Sequence, residues 1–254
     1  RRGRGGGTGC ASSTGSNARI YKLAWSRDLP MTVIGGDGGL LERPRDQRTV
    51  TLAPGQRADV LLNLTGLGAG TDVHLDSLAF PEADAGRVGM MGNSSPMPNG
   101  TPSRMMTLRT RARTGRAFVV PQRLSTFDAS WSARADAKVR RVPLRFQRMQ
   151  WLLGDRTFAL DEVAADETVA AGSTHVWELA NQPNGMGMEM AHPIHLHGRQ
   201  FRVLSRTGGR ATNALREGTA DAGWRDTVLV LPGETVRVQV TFTKHTGLYL
   251  YHCH

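Results

Sequence analysis

Two short clusters hold most of the chemistry-bearing side chains of this 254-residue chain. His192-Pro193-Ile194-His195-Leu196-His197-Gly198 and His252-Cys253-His254 contain five of the eight histidines and one of the two cysteines. Imidazole together with thiolate suits copper or zinc, whereas calcium and magnesium take oxygen ligands. Zinc sites usually reuse Cys or His pairs at roughly two- to four-residue gaps, and a lone Cys between two His departs from that habit. On a β-strand alternate side chains share a face, so His252 and His254 point one way and Cys253 the other. One strand can then serve two metal sites back to back, the thiolate on one and both imidazoles on the other. His195 and His197 likewise share a face, while His192, across Pro193, can turn toward a different centre. A blue-copper site takes two His, one Cys and a weak axial ligand. Cys253 and His192 supply one Cys and one His of that set.

The remaining candidates read as structural. His74, His175 and His245 stand alone and are expected to be hydrogen-bonded core or surface residues. Met186, Met188 and Met190 alternate ahead of His192 but read as packing or loop residues, because Met is a common gap-filler. Cys10 lies in a Gly/Arg/Ser/Thr-rich segment and receives no role.

The elements that must position these clusters are β-strands. Short β-type runs occur at 18–24, 31–34, 49–52 and 58–64, with turn chemistry at 35–39 and 53–55 between them. They resume at 142–153, 174–179, 201–204, 227–230 and 235–242. The spacing predicts an all-β chain of two Greek-key sandwich or barrel domains. Residues 1–15 lack hydrophobic periodicity and are expected to be a disordered tail. The first domain is placed at 16–80, an interdomain linker at 81–116 and the second domain at 117–254.

The halves resemble each other. Thr49–Gly55 matches Thr227–Gly233 at an offset of 178, Val33-Ile34 mirrors Val203-Leu204 at 170, and Leu23-Ala24 mirrors Leu179-Ala180 at 156. Continued onward, the 178 offset sets Val73-His74-Leu75-Asp76 against Tyr251-His252-Cys253-His254. The first copy therefore reads as a structural version of the domain, and the second as the version that holds metal.

Composition narrows the partners. The net charge is +10, yet only three of the 32 basic residues are lysine, and the arginines are spread along the chain. That pattern resembles GC-rich codon use more than a nucleic-acid surface, and no nucleic-acid partner is expected. Two cysteines cannot staple a chain of this length, and no run approaches the ~18 apolar residues of a membrane span.

With these residues in view, the chain resembles bacterial three-domain multicopper oxidases of the laccase, bilirubin-oxidase and copper-efflux-oxidase type. The similarity rests on the two histidine motifs with Phe201, Val203-Leu204, Trp224-Arg225-Asp226-Thr227-Val228 and Pro232-Gly233-Glu234. Asn17–Tyr21 and Gly35–Leu41 are similar to the copper-free middle cupredoxin domain. The resemblance implies that His192 and Cys253 bind type 1 copper, His195 type 2 copper, and His197, His252 and His254 the type 3 pair. It implies a parent enzyme, periplasmic or secreted, that oxidises phenols, aromatic amines or Cu(I) one electron at a time and reduces dioxygen to water.

It further implies a fragment of the second and third cupredoxin domains. The family places a second type 1 His, an acidic residue and usually an axial Met after the His-Cys-His motif. It also places a first cupredoxin domain, with two His-X-His motifs, ahead of the middle one. No His-X-His precedes His195 here, so the isolated chain is expected to be inactive in turnover. The alternative is a copper-binding or scaffold protein without turnover. Residues 11–15, Ala-Ser-Ser-Thr-Gly, also match an out-of-frame reading of the family's Arg-Leu-Leu-Asn-Gly, which suggests that residues 1 to about 14 derive from a shifted frame.

Overall fold

A computed structural model of the chain describes residues 7–87, 97–112, 119–159, 162–182, 189–243 and 245–254. Its strands run, in chain order, β1 (Gly7–Ser13), β2 (Tyr21–Trp25), β3 (Met31–Gly36), β4 (Gly39–Gln47), β5 (Val50–Leu52), β6 (Arg57–Asn63), β7 (Asp72–Ser77), β8 (Gly86–Arg87) and β9 (Ser103–Arg109). They continue with β10 (Lys138–Gln147), β11 (Gln150–Leu153), β12 (Thr174–Asn181), β13 (Glu189–Met190), β14 (His192–Leu196), β15 (Phe201–Gly208), β16 (Thr227–Val230), β17 (Glu234–Thr241) and β18 (Tyr251–Cys253).

The chain divides into two compact β-units. The first packs a sheet ordered β1-β6-β3-β4 against one ordered β5-β2-β7-β9. Between them lies a core of Leu23, Trp25, Met31, Val33, Val50, Leu52, Val60, Leu62 and Val73. Alternation produces this: β3 and β6 bury every second residue, as a sheet with one wet face must. The second unit packs β11-β10-β12-β17-β15 against β16-β14-β18, around Val142, Leu144, Trp177, Leu179, Ile194, Val228, Val236 and Val238.

Three expectations about organisation are corrected. Residues 7–13, expected to be tail, form a strand antiparallel to β6, with Cys10 opposite Val60, and Thr14 continues the contact through backbone hydrogen bonds with Gly55 and Gln56. β1 joins β6 through its backbone and has no alternating apolar run in its sequence, so no pattern announced it. Within the expected linker, β9 pairs with β7, and β8 pairs with β13 of the second unit. β9 escaped notice because it is an exposed sheet edge, held partly by Arg104–Asp76 and Arg109–Asp72 ion pairs rather than by burial. The unit boundary is also discontinuous, since 83–87 belongs to the second unit and Ala214–Gly223 to the first. There Leu215 is fully buried, Thr51 N–H donates to the Gly218 carbonyl at 2.9 Å, and Lys22 meets Glu217 at 3.2 Å.

The internal repeat is present in the pairing, with two adjustments. Leu23 sits opposite Val50 in β2–β5, as Ile194 sits opposite Val228 in β14–β16. β2 therefore corresponds to β14 rather than to β12, and β1 occupies the place of β12. Leu78 N–H donates to the Lys22 carbonyl as His254 N–H donates to Pro193, so the last strands correspond at an offset of 176 rather than 178. The shift is two residues and leaves every side chain on the same face. Asp76 and Ser77 thus stand in the first unit where His252 and Cys253 stand in the second.

Candidate metal centre

The centre is built on the three-stranded sheet of the second unit, with β14 between β16 and β18. Register places Ile194 opposite Cys253, His195 opposite His252, and Leu196 opposite Tyr251. The ladder runs on at both ends, with His197 N–H donating to the Leu250 carbonyl and His254 N–H to the Pro193 carbonyl. His192, Ile194, Leu196, Cys253 and Tyr251 consequently share the face that covers the core, and His195, His197, His252 and His254 share the other. Gly198, at φ 71°, ends β14 in the left-handed region, and a Cβ there would run into the Tyr249 ring.

On the core-side face the His192 Nδ1 lies 3.4 Å from the Cys253 Sγ. His192 is only 6% exposed, and among the described residues its buried Nε2 has no hydrogen-bond partner. Burial pulls its pKa down to about 4, so the imidazole is neutral with a lone pair to offer. β18 is a sheet edge and Cys253 as a residue is exposed, but its sulfur, turned toward His192, is desolvated and pushed up to about 12. A soft thiol beside a neutral imidazole is a donor pair that suits copper.

On the opposite face, ligand nitrogens of His195, His197 and His252 all lie within 4.8 Å of one another. Among the described residues this is the one group of three or more potential ligand side chains so gathered. The His197 and His252 Nε2 atoms are 3.1 Å apart. The His254 ring adjoins this group, with its centroid 4.8 Å from His252 and 5.7 Å from His195. Burial first, and then the neighbouring imidazoles, lower the pKa of His254. His195 is lowered by burial and by His197 and His252, against a partial upward pull from Asp226.

The sequence motifs did not disclose how His195 is oriented. Its Nδ1 lies 2.9 Å from the Thr227 Oγ1 and 3.5 Å from the Asp226 Oδ1. The Thr227 hydroxyl donates to Asp226 at 2.9 Å, so it accepts from an Nδ1–H and leaves the His195 Nε2 unprotonated toward the cluster. The signal was in the β14–β16 register, which sets Thr227 directly opposite His195. A groove of about 530 Å³ opens beside the cluster, lined by His195, His197, Arg199, Trp224 and Asp226 among others.

The residues set aside as structural are held by ordinary contacts. His74 Nδ1 lies 3.0 Å from the Thr107 hydroxyl, and His175 Nε2 lies 3.0 Å from the Ser173 hydroxyl with its ring edge-on to Phe242. His245 is exposed. Met190 pairs in β13 with Gly86, while Met186 and Met188 lie outside the described residues.

Known proteins resemble the domain that carries this geometry. Residues 136–254, which contain all six clustered side chains, match the family model described as multicopper oxidase. Residues 136–254 form a multicopper oxidase domain. Over 94% of its length it is 27% identical to a laccase of Bacillus subtilis, and over 89% it is 29% identical to a bilirubin oxidase of Albifimbria verrucaria. Its fold matches the McoA multicopper oxidase of Aquifex aeolicus with a TM-score of 0.75 at 28% identity, covering 97% of this chain and 52% of that one. A laccase of Pediococcus acidilactici gives 0.74 at 28%, covering 98% and 46%. The chain thus spans about half the length, or less, of these proteins. The two units are cupredoxin-like β-sandwiches, and copper is the metal that the family matched by residues 136–254 implies.

Proposed function

We propose that the chain supplies the electron-accepting copper site and part of the oxygen-reducing copper cluster of a multicopper oxidase. The observation that carries this reading is the back-to-back arrangement. Cys253 and His192 share one face of a single sheet, while His195, His197, His252 and His254 share the other. His192 and Cys253 would hold type 1 copper, His195 type 2 copper, and His197, His252 and His254 the type 3 pair. Copper, when bound, supplies one-electron redox chemistry on the first face and four-electron reduction of dioxygen to water on the second.

The chain's own residues prepare both faces. Burial keeps His192 neutral, and the Thr227–Asp226 pair fixes the protonated nitrogen of His195 away from the cluster. β18 links the two faces covalently through the Cys253 backbone to His252 and His254, a short route for electrons between metals. The reductants are phenols, aromatic amines or Cu(I), and the acceptor is dioxygen.

The ligand count favours a second reading for the chain acting alone. Its six ligands are part of the set the family uses, so by itself it binds copper without sustained turnover, and a complete cluster needs imidazoles from a further cupredoxin domain. Loading the chain with copper and following oxygen uptake with a phenolic dye separates the two. Copper binding without oxygen uptake supports the partial-site reading. Uptake at sustained turnover overturns it.

A further inference from the structure

Residues 127–134 lie ahead of the stretch that matches the multicopper oxidase family and form a strap on the outer face of the second unit's five-stranded sheet. Side chains hold it there. Arg202 of β15 and Gln239 of β17 stand opposite each other in register, on the face turned away from the core that Val203 and Val238 enter. The buried Gln239 amide donates to the Ser132 carbonyl and accepts the Arg134 N–H, both at 2.8 Å. Arg202 donates to the Trp131 carbonyl and lays its guanidinium over the Trp131 ring at 4.7 Å. Phe127 packs on that ring at 4.4 Å. Held from behind, Trp131 meets Trp224 edge-on at 5.1 Å and 79°.

Trp224 carries the strap to the histidine cluster. Together with Ser130 and Asp226 it lines the groove beside His195 and His197. Arg225, buried between Trp224 and Asp226, exchanges both backbone hydrogen bonds with Phe201, at 2.7 and 2.8 Å. That pairing makes the segment extended, which sets Trp224 and Asp226 on one side of it.

We propose that Trp131 and Trp224 are positioning residues for His195: the strap fixes the Trp224 ring, the ring bounds the groove beside Asp226, and the Asp226–Thr227 pair then keeps the His195 proton on Nδ1. The proposal rests on the reading of His195 as a copper ligand. An imidazole offers its Nε2 lone pair to a metal only while the proton stays on the other nitrogen, so whatever steadies the acceptor chain behind Nδ1 steadies the ligand. The Asp226 Oδ1 accepts the Thr227 hydroxyl at 2.9 Å, and that hydroxyl lies 2.9 Å from the His195 Nδ1. A mobile Trp224 would open the groove wall to water, which competes for both bonds.

The test begins with the full metal-free chain, its histidine nitrogens isotope-labelled, in long-range proton–nitrogen spectra that report the tautomer of each ring, with His195→Gln assigning the relevant signals. The parent is expected to hold His195 as the single Nδ1–H tautomer. Trp131→Ala is expected to give a mixture of tautomers and to weaken copper binding at the histidine cluster about three- to tenfold by chelator competition, while Trp131→Phe, which keeps an aromatic face, stays within about twofold. Arg202→Met, which alters neither the groove lining nor a histidine, should shift the tautomer in the same direction and carries the test if Trp131→Ala does not fold. A strap that only stabilises the unit would lower the urea midpoint of these variants and leave His195 on Nδ1–H, and that result overturns the proposal. If the tautomer shifts and copper binding at the cluster does not, the positioning stands and the reading of His195 as a ligand fails.

Discussion

The removal of one hydroxyl, in Tyr251→Phe, tests how β18 is tied down beside the ligands it carries. The Tyr251 hydroxyl donates to the Glu167 Oε1 at 2.6 Å and accepts from the Arg140 Nη2 at 3.0 Å, and Arg140 also reaches Glu167 at 3.3 Å. The Arg140 guanidinium lies over both the Trp177 and Tyr251 rings, at 4.9 and 5.3 Å, and the two rings meet edge-on at 5.1 Å. Phenylalanine keeps the rings and loses only the hydrogen bonds. A hydrogen bond to a charged group is worth about 1.5–3 kcal/mol. Glu167 keeps Arg140 and the Ala164 N–H at 3.0 Å, and water reaches part of its carboxylate, so the low end applies, about 1.5 kcal/mol.

That corresponds to a fall in Tm of about 3 to 6 °C, measurable by thermal or urea unfolding at neutral pH. The pH dependence has a definite sign. Burial alone would push Glu167 up, but Tyr251, the Ala164 N–H, Arg140 and Arg156 outweigh it and hold the carboxyl below its ordinary value. A depressed folded value means that the stabilisation is present above the unfolded value and is lost as pH falls through the folded one. The gap between Tyr251 and Phe is therefore expected to close in acid, as pH falls through the lowered folded value of Glu167. A variant as stable as the parent at neutral pH, or a gap that persists unchanged in acid, would refute the clasp.

Three other outcomes follow from the same geometry. Thr227→Val removes the acceptor for the His195 Nδ1 and should weaken copper binding at the histidine cluster about 10- to 100-fold by chelator competition, with Thr227→Ser restoring it. Glu234 is fully buried, 2.8 Å from the Arg206 Nη1, and its Oε2 accepts the Leu231 N–H, so Glu234→Ala should cost about 3–5 kcal/mol in urea unfolding. Cys10 lies in a strand that pairs through its backbone, so Cys10→Ser should change stability by no more than about 0.5 kcal/mol.

How much of this was legible in sequence depends on range and on exposure. The two clusters were readable because their spacing is local, and strand alternation assigns Cys253 and its flanking imidazoles to opposite faces without knowledge of any partner strand. The core strands of both units, such as β3, β6 and β17, were readable because each alternates between water and core. Edge strands were not: β4 buries only Leu41, and β9 is stabilised by arginine–aspartate pairs that look like loop chemistry. Long-range partners were invisible for another reason. Tyr251, Glu167 and Arg140 come from three separate segments, and nothing local to any one of them signals the other two. The Leu23-Ala24 match to Leu179-Ala180 misled because a common dipeptide stood in for register, whereas the pairing of β2 with β5 assigns its counterpart as β14.

The central claim is that one short strand feeds two separate copper sites. Copper loading of the intact chain beside Cys253→Ser and His252→Ala tests it most directly, with visible absorption and bound copper measured together. The account predicts that Cys253→Ser abolishes any sulfur-to-copper charge-transfer band while copper at the histidine cluster remains. It predicts that His252→Ala lowers cluster copper and leaves the band in place. Loss of both signals in either variant would mean a single shared site and would contradict it.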